Sequence, residues 1–160
     1  MSGRTLRNLG EERARRNTVP GVWRTLGYEL QSWEVGRAVI GWTAGEEYGF
    51  ATESGYVVQG GLVTSVLDAA MGSACWTVLD QTQIFLTADL RVEFLRNTRV
   101  GALTATGVVV RSTPRVIFCS GELHDSDGTL LAASRCTQVV LPADHPTSRS
   151  LSPNDPEKSS

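Results

Sequence analysis

The longest apolar stretch of this chain lies over residues 62–79, where small residues and a single carboxylate interrupt the apolar side chains. A helix with apolar or small residues on nearly every side must be enclosed by the rest of the protein. We therefore predict a buried central helix over residues 61–79. Its core-facing stripe should consist of Val63, Leu67, Ala70, Ala74 and Val78.

The segments on both sides of this helix alternate between apolar and polar residues, which is typical of half-buried β-strands. Two strands are predicted at 28–35 and 37–43, with Gly36 between them. Residues 44–56, rich in glycine, are predicted to form a loop that leads into the helix. Three later strands are expected at 103–111, 116–123 and 130–140, with a tight turn at Asp127-Gly128.

The strand directly after the helix shows the clearest alternation. Its apolar row is expected to pack on the helix and comprises Ile84, Leu86, Ala88, Leu90, Val92 and Phe94. Its polar row is expected to face the other side and comprises Thr87, Asp89, Arg91 and Glu93. One helix within a run of antiparallel strands predicts an α+β fold.

The chain of 160 residues is long enough for one domain with a substantial core. Pro20-Gly21 sets the predicted start of this domain, and residues 22–27 should form one helical turn closed by Gly27. We expect a domain over residues 20–141, preceded at 1–19 by a basic arm or short helix. Residues 142–160, rich in Pro, Ser and Asp, are expected to form a disordered tail.

The net charge of −2, from 15 basic and 17 acidic residues, argues against a nucleic acid or an anionic membrane as the main partner. We find neither a membrane span nor a secretory signal, so a cytoplasmic protein is expected. Cys75, Cys119 and Cys136 lack the spacing of metal ligands. Cys119 and Cys136 could be neighbours across a hairpin, but small buried hydrophobic residues are the favoured interpretation. We expect neither a metal nor a cofactor.

Asp68 is the only charged residue between Glu53 and Asp80. A buried carboxylate is costly without partners, and this helix offers no Arg or Lys one turn away. One hypothesis is that Asp68 meets an Arg from a strand or looks into water. The other is that it lines a pocket as a general base or nucleophile.

The start of the helix favours the second hypothesis. Gly60 and Gly61 allow close approach of a ligand, and amides at a helix N-terminus stabilise developing negative charge. Gly61, Thr64 and Ser65 should lie on the same side of the helix as Asp68.

Four motifs carry a resemblance to a known family. They are Gln-Gly-Gly at 59–61, Asp-x-Ala-x-Gly at 68–72, Thr-Ala-Asp-Leu-Arg-Val-Glu-Phe-Leu-Arg at 87–96, and Asp-x-Asp-Gly at 125–128. Over residues 20–141 the chain resembles the hot-dog-fold acyl-CoA thioesterases of the phenylacetic-acid-degradation type. The resemblance implies an antiparallel sheet wrapped around a long central helix.

The resemblance also implies catalytic roles. The Gly60 amide would polarise the thioester carbonyl, Asp68 would act as base or nucleophile, and the Thr87 hydroxyl would assist. Gln59 stands where the family commonly has histidine; it can donate to a carbonyl but cannot transfer a proton as histidine does. Glu53 stands where the family commonly has an amide residue, so its role as a further catalytic residue is open.

A coenzyme A thioester is the expected substrate, with an aryl or arylacetyl acyl group as one candidate. On the helix, Gly61 and Ser65 are expected to bind it. Trp76 and Trp23 are either pocket walls or core residues. Arginines at strand ends are expected to bind the phosphates, namely Arg96, Arg99, Arg111 and Arg115. Two alternatives are a non-catalytic acyl-thioester binder and a hot-dog dehydratase. The dehydratase would want a catalytic histidine, and the chain has only His124 and His145. Open sheet edges predict a homodimer or homotetramer.

Overall fold

The computed structural model describes residues 20–146, so the predicted N-terminal arm and residues 147–160 of the predicted tail lie outside the described residues. Two α-helices lie within this range, Gly21–Leu26 (α1) and Gly60–Trp76 (α2), together with a 3-10 turn at Glu46–Tyr48. The strands are Glu29–Glu34 (β1), Arg37–Ala44 (β2), Gly49–Thr52 (β3), Gly55–Val58 (β4), Gln83–Phe94 (β5), Gly101–Ser112 (β6), Val116–Asp125 (β7) and Leu130–Pro142 (β8).

Six of these strands form one antiparallel sheet in the order β1-β2-β6-β7-β8-β5, and α2 packs across it. β1 and β5 are therefore the two edges of the sheet. The predicted α+β arrangement of a sheet around one long helix is confirmed. The turns at Gly36 and Gly128 are also confirmed, and both glycines have the positive φ that such tight turns require.

The centre of α2 lies directly on β6. Gly107 makes this approach possible, because a Cβ atom there would collide with the Ala70 carbonyl. The predicted stripe is buried from Val63 to Ala74, whereas Val78 lies beyond the helix end and is only partly buried. The helix ends at Trp76, three residues before the predicted end. The Thr77 hydroxyl donates to the Ala74 carbonyl and accepts the Gly36 amide at 2.7 Å, which ties this end to the β1–β2 turn.

The two predicted faces of β5 are wrong in part, because the pairing of β5 with β8 shifts between Thr87 and Asp89. Such a bulge reverses the alternation of side chains along a strand. Before the bulge, Phe85 and Thr87 contact α2, and Leu86 is 39% exposed. After the bulge, Leu90 packs on the core as predicted.

The predicted loop at 44–56 is also wrong, because it contains the 3-10 turn and a separate hairpin of β3 and β4. Gly55, at φ 106°, permits the tight turn of this hairpin. Arg99 anchors the turn by donating to the carbonyl and hydroxyl oxygens of Ser54 at 2.9 and 2.7 Å.

The end of β8 differs slightly from the predicted domain boundary. The strand continues to Pro142, and the Ala143 amide donates to the Thr82 carbonyl at 2.8 Å. Within residues 20–146, no helix has both the length and the apolar character that crossing a membrane requires.

Candidate active site

The N-terminus of α2 exposes backbone donors. Gln59 precedes the helix in an extended conformation, and its carbonyl accepts the amides of Leu62 and Val63 at 3.0 and 3.3 Å. The amides of Gly60 and Gly61 form no hydrogen bond with a described residue. Free amides at the positive end of a helix dipole suit a developing oxyanion.

The two glycines have different surroundings. A Cβ atom on Gly60 would lie 3.2 Å from the Phe94 ring, whereas a Cβ atom on Gly61 would meet nothing within 4 Å. Gly60 therefore lets the end of β5 pack closely on the helix start. Gly61 adjoins open space, as a residue beside a bound substrate must.

Asp68 lies two turns further along α2 and is half-buried. Its Oδ1 accepts a hydrogen bond from the Thr87 hydroxyl at 3.2 Å. Burial raises the pKa of the Asp68 carboxyl above its ordinary value, and the hydrogen bond from Thr87 opposes this rise. The structure therefore brings together the predicted helix carboxylate and the predicted strand hydroxyl.

The ion-pair hypothesis for Asp68 finds no support in the described part of the chain. The salt bridges there join Arg91 to Glu93 and His124 to Glu122, and neither includes Asp68. Among residues 20–146, Asp68 has one neutral donor and no cationic partner, so the ion-pair alternative is not supported there, while contact with water and a catalytic role both stay open.

The four predicted arginines do not form one cluster. Arg96 and Arg99 precede the start of β6, whereas Arg111 and Arg115 flank its end, about 33 Å away along a ten-residue stretch of strand. Arg96 donates to the Leu130 carbonyl at 2.7 Å, and Arg99 holds the β3–β4 turn. One chain therefore does not bring all four arginines together, because the two pairs lie at opposite ends of β6, and their contact with the phosphates of coenzyme A stays a prediction.

The other predicted substrate contacts are distributed over three places. Ser65 lies beside Tyr28, whose hydroxyl donates to the Leu62 carbonyl at 3.4 Å; burial raises the pKa of Tyr28, and the interaction with Ser65 opposes this rise. Trp23 is 7% exposed and packs edge-on against Tyr28, so it belongs to the core. Trp76 packs against Phe85 with ring centroids 5.0 Å apart, two turns beyond Asp68 on α2.

Gln59 and Glu53 are both exposed. Glu53 lies in the turn between β3 and β4, and no hydrogen bond or salt bridge joins it to Asp68 within residues 20–146. One chain therefore does not bring Glu53 into the site.

A polar group beneath Thr87 was missed by the sequence analysis. Gln138 is fully buried, pairs across strands with Thr87, and donates from Nε2 to Cys136 Sγ at 3.1 Å. Its Oε1 has no hydrogen-bond partner among residues 20–146. The available signal was a polar residue at a core-facing position, because side chains two residues apart on a strand share a face and Gln138 therefore lies on the same face as Cys136.

The described residues also contain a surface cleft of about 670 Å³ near the end of β8. It is lined by the α2–β5 loop, the β6–β7 turn and the end of β8, and Asp68 is not part of it. Residues 20–146 contain no group of three or more His, Cys, Asp or Glu side chains that could hold a metal ion.

Comparison with known proteins adds independent findings. Residues 55–132 match the family model described as the thioesterase superfamily. A protein of Saccharolobus solfataricus that carries the name esterase is 33% identical over 120 residues, covering 75% of this chain and 83% of that protein. The medium/long-chain acyl-CoA thioesterase YigI of Salmonella typhimurium is 28% identical, covering 73% of this chain and 83% of that protein.

A solved structure extends this likeness to the fold. It is a phenylacetic acid degradation-related protein of Ralstonia eutropha JMP134, described as a thioesterase. It is 26% identical, with a TM-score of 0.71, and the alignment covers 80% of this chain and 97% of that one.

Proposed function

The chain belongs to the thioesterase superfamily, and we propose that it hydrolyses acyl-CoA thioesters with Asp68 as the catalytic carboxylate. The single observation that carries this role is the half-buried Asp68 carboxylate, held by Thr87 and without a cationic partner in the described chain. The raised pKa makes this carboxylate more basic than an exposed aspartate, which favours proton abstraction.

The reaction converts a thioester and water into a carboxylic acid and a thiol. As a general base, Asp68 removes a proton from water while the water oxygen attacks the carbonyl carbon. The carbonyl oxygen becomes negatively charged, and the Gly60 amide stabilises it. Collapse of this intermediate breaks the carbon–sulfur bond, and the proton passes from Asp68 to the departing sulfur. If Asp68 attacks directly, water instead cleaves the resulting anhydride.

One chain cannot use both groups on one thioester. Gly60 and Asp68 are eight residues apart on α2, which separates them by about 12 Å along the helix axis. A carbonyl carbon and its oxygen are bonded neighbours, so the donor and the carboxylate must lie within a few ångströms of each other. We therefore infer a homodimer in which Gly60 of one copy faces Asp68 of the other.

The edge strand β5 is the surface that suits this pairing. It has no neighbour on one side within the described sheet, and it carries Thr87 next to the exposed Leu86. Joining β5 of two copies would satisfy its free backbone groups and bury Leu86. Two such pairs would give a tetramer. Sedimentation equilibrium at micromolar concentration tests this, and an active single chain would refute it.

The acyl group belongs to one of two classes that the related proteins suggest, arylacetyl or medium-to-long straight chains. Trp76 lies about 12 Å beyond Asp68 along α2, and it packs on Phe85 of β5 to form an aromatic wall on that side of the helix. We favour an aryl or arylacetyl group, because ring edges and faces pack well on such a pair. A cytoplasmic location fits the three free thiols.

The test is a panel of acyl-CoA esters in which a thiol reagent detects released coenzyme A. Phenylacetyl-CoA and benzoyl-CoA should give the highest kcat/KM, compared with hexanoyl-CoA and palmitoyl-CoA. Binding of an ester without release of thiol would instead identify a non-catalytic binder. Conversion of a 3-hydroxyacyl-CoA to its enoyl form without release of thiol would identify a dehydratase.

A further inference from the structure

Cys119 and Cys136 form a pair in the core beneath α2. They are directly opposite each other on the neighbouring antiparallel strands β7 and β8. Both side chains face the helix, both are free thiols, and they are 2% and 3% exposed. Opposite residues on such strands have Cα atoms about 4.5–5.5 Å apart, which lies within the range of about 4.4–6.8 Å that a disulfide spans.

The two thiols have different reactivity. The two thiols face each other, and their interaction lowers the pKa of Cys136 and, together with burial, raises that of Cys119. Gln138 donates a hydrogen bond to Cys136 Sγ at 3.1 Å and also lowers its pKa, whereas burial and the nearby Asp68 charge oppose this. Cys75 is the contrasting thiol, because burial and the nearby Cys136 raise its pKa. Because the Gln138 N–H donates to its sulfur, Cys136 is the thiol of this pair whose thiolate the structure stabilises.

We propose that Cys119 and Cys136 are a reversible redox pair, which a hydroperoxide converts into a cross-strand disulfide that lowers turnover at the Asp68 site. The Cys136 thiolate attacks one oxygen of hydrogen peroxide, giving a sulfenic acid and hydroxide. The Cys119 thiol then attacks the sulfenic sulfur, so that the disulfide and one water form. Overall, two thiols are oxidised while one peroxide and two protons become two waters.

The link to the site runs through Gln138. Its Nε2 donates a hydrogen bond to Cys136 Sγ, and its backbone lies opposite Thr87. The Thr87 hydroxyl in turn donates a hydrogen bond to Asp68. A disulfide brings the two sulfur atoms to about 2.05 Å, closer than any hydrogen-bonded pair of thiols. Cys136 must therefore move relative to Gln138, and the change reaches the strand pair that positions Thr87. This step rests on the proposed role of Asp68.

The first measurement is the number of free thiols. Reduced full-length protein is treated with hydrogen peroxide, the excess is destroyed with catalase, and the protein is unfolded in N-ethylmaleimide and weighed intact. The expected product has lost two hydrogen atoms and carries one alkylated thiol, at Cys75. Peptide mapping should show Cys119 linked to Cys136. Three alkylated thiols, or a linkage that includes Cys75, would overturn the proposal.

The second measurement compares turnover of the same samples with the best ester of the panel. A displacement of about 1 Å at a catalytic group can cost a hundredfold, so oxidation should lower kcat roughly tenfold or more, and dithiothreitol should restore it. A disulfide with unchanged kcat would refute the link to the site. A reduced enzyme that releases no coenzyme A would refute the proposed function instead, while the thiol count still reports on the pair.

Matched variants separate the pair from general oxidation. Cys75→Ala should form the disulfide and lose turnover as the parent protein does. Cys119→Ala should keep its basal turnover and become insensitive to peroxide. Sensitivity that persists in Cys119→Ala, or disappears in Cys75→Ala, would contradict the assignment. If Cys119→Ala fails to fold, the thiol count and the Cys75→Ala variant still show whether Cys119 and Cys136 form the disulfide.

Discussion

Replacing Asp68 with asparagine is the most direct test of the proposed site. The substitution keeps the shape of the side chain and removes its charge and basicity. Asparagine can still accept the hydrogen bond that Thr87 donates at 3.2 Å to Oδ1. The geometry of the site should therefore survive, and only the ability to take a proton or attack a carbonyl is lost.

The expected loss follows from this separation of geometry and chemistry. Proton transfer by a positioned side chain contributes about 10²–10⁴ in rate, which corresponds to about 2.7–5.4 kcal/mol of transition-state stabilisation. We expect kcat to fall by about a hundredfold or more while KM changes little.

The free energy of unfolding of Asp68→Asn should stay level or rise, although its kcat falls. Burial raises the pKa of the Asp68 carboxyl, so the folded state holds this proton more tightly than the unfolded state does. The associated stabilisation is complete below the ordinary pKa of 3.8 and is lost as pH rises through the folded pKa. At pH 7 the ionised side chain therefore costs stability, and Asp68→Asn should unfold in urea at an equal or higher midpoint.

The assay measures kcat and KM by thiol release at pH 7, with urea unfolding on the same samples. Asp127→Asn, in the exposed β7–β8 turn, is the matched control and should leave both kinetic parameters unchanged. If Asp68→Asn hydrolyses every ester as fast as the parent, α2 is not the catalytic element. Reduced stability at pH 7 would refute the assignment of burial as the cause of the pKa shift.

Substitutions at four further positions test the site and the β3–β4 hairpin. Thr87→Val removes the donor that lowers the Asp68 pKa, so the acidic limb of the pH profile of kcat/KM should move to higher pH, whereas Thr87→Ser should leave it in place. Gln59→Ala should lower kcat by roughly tenfold to a hundredfold, as expected for the loss of a donor to the carbonyl. Glu53→Gln should leave steady-state rates unchanged, and a large loss would make Glu53 a second catalytic carboxylate. Arg99→Ala should lower the free energy of unfolding by about 1 kcal/mol in urea titrations, because Ser54 loses its hydrogen-bond donors, and an unchanged value would show that the β3–β4 hairpin is held by other contacts.

The sequence by itself determined the framework of the fold. A long run of apolar and small residues with one carboxylate is typical of a buried helix. This pattern predicts the end of α2 to within three residues. Alternation with a period of two predicts the six strands of the main sheet, because alternation is a local property of each segment. The lone charge and the glycine pair pointed to Asp68 and Gly60, the resemblance added Thr87, and the contact of Asp68 with Thr87 is present in the structure.

Only the tertiary structure decided which side chains meet. Strict alternation along β5 predicted that Thr87 faces away from α2, which is wrong. The bulge that reverses its face depends on pairing with β8 and cannot be recognised from the residues of β5 alone. The arginines were predicted to lie at strand ends, but only the length of β6 shows that Arg99 and Arg111 are far apart. The register of β7 with β8 placed Cys119 against Cys136, and the register of β8 with β5 placed Gln138 against Thr87. Register and bulges result from pairing between distant segments, so no local pattern of the sequence contains them.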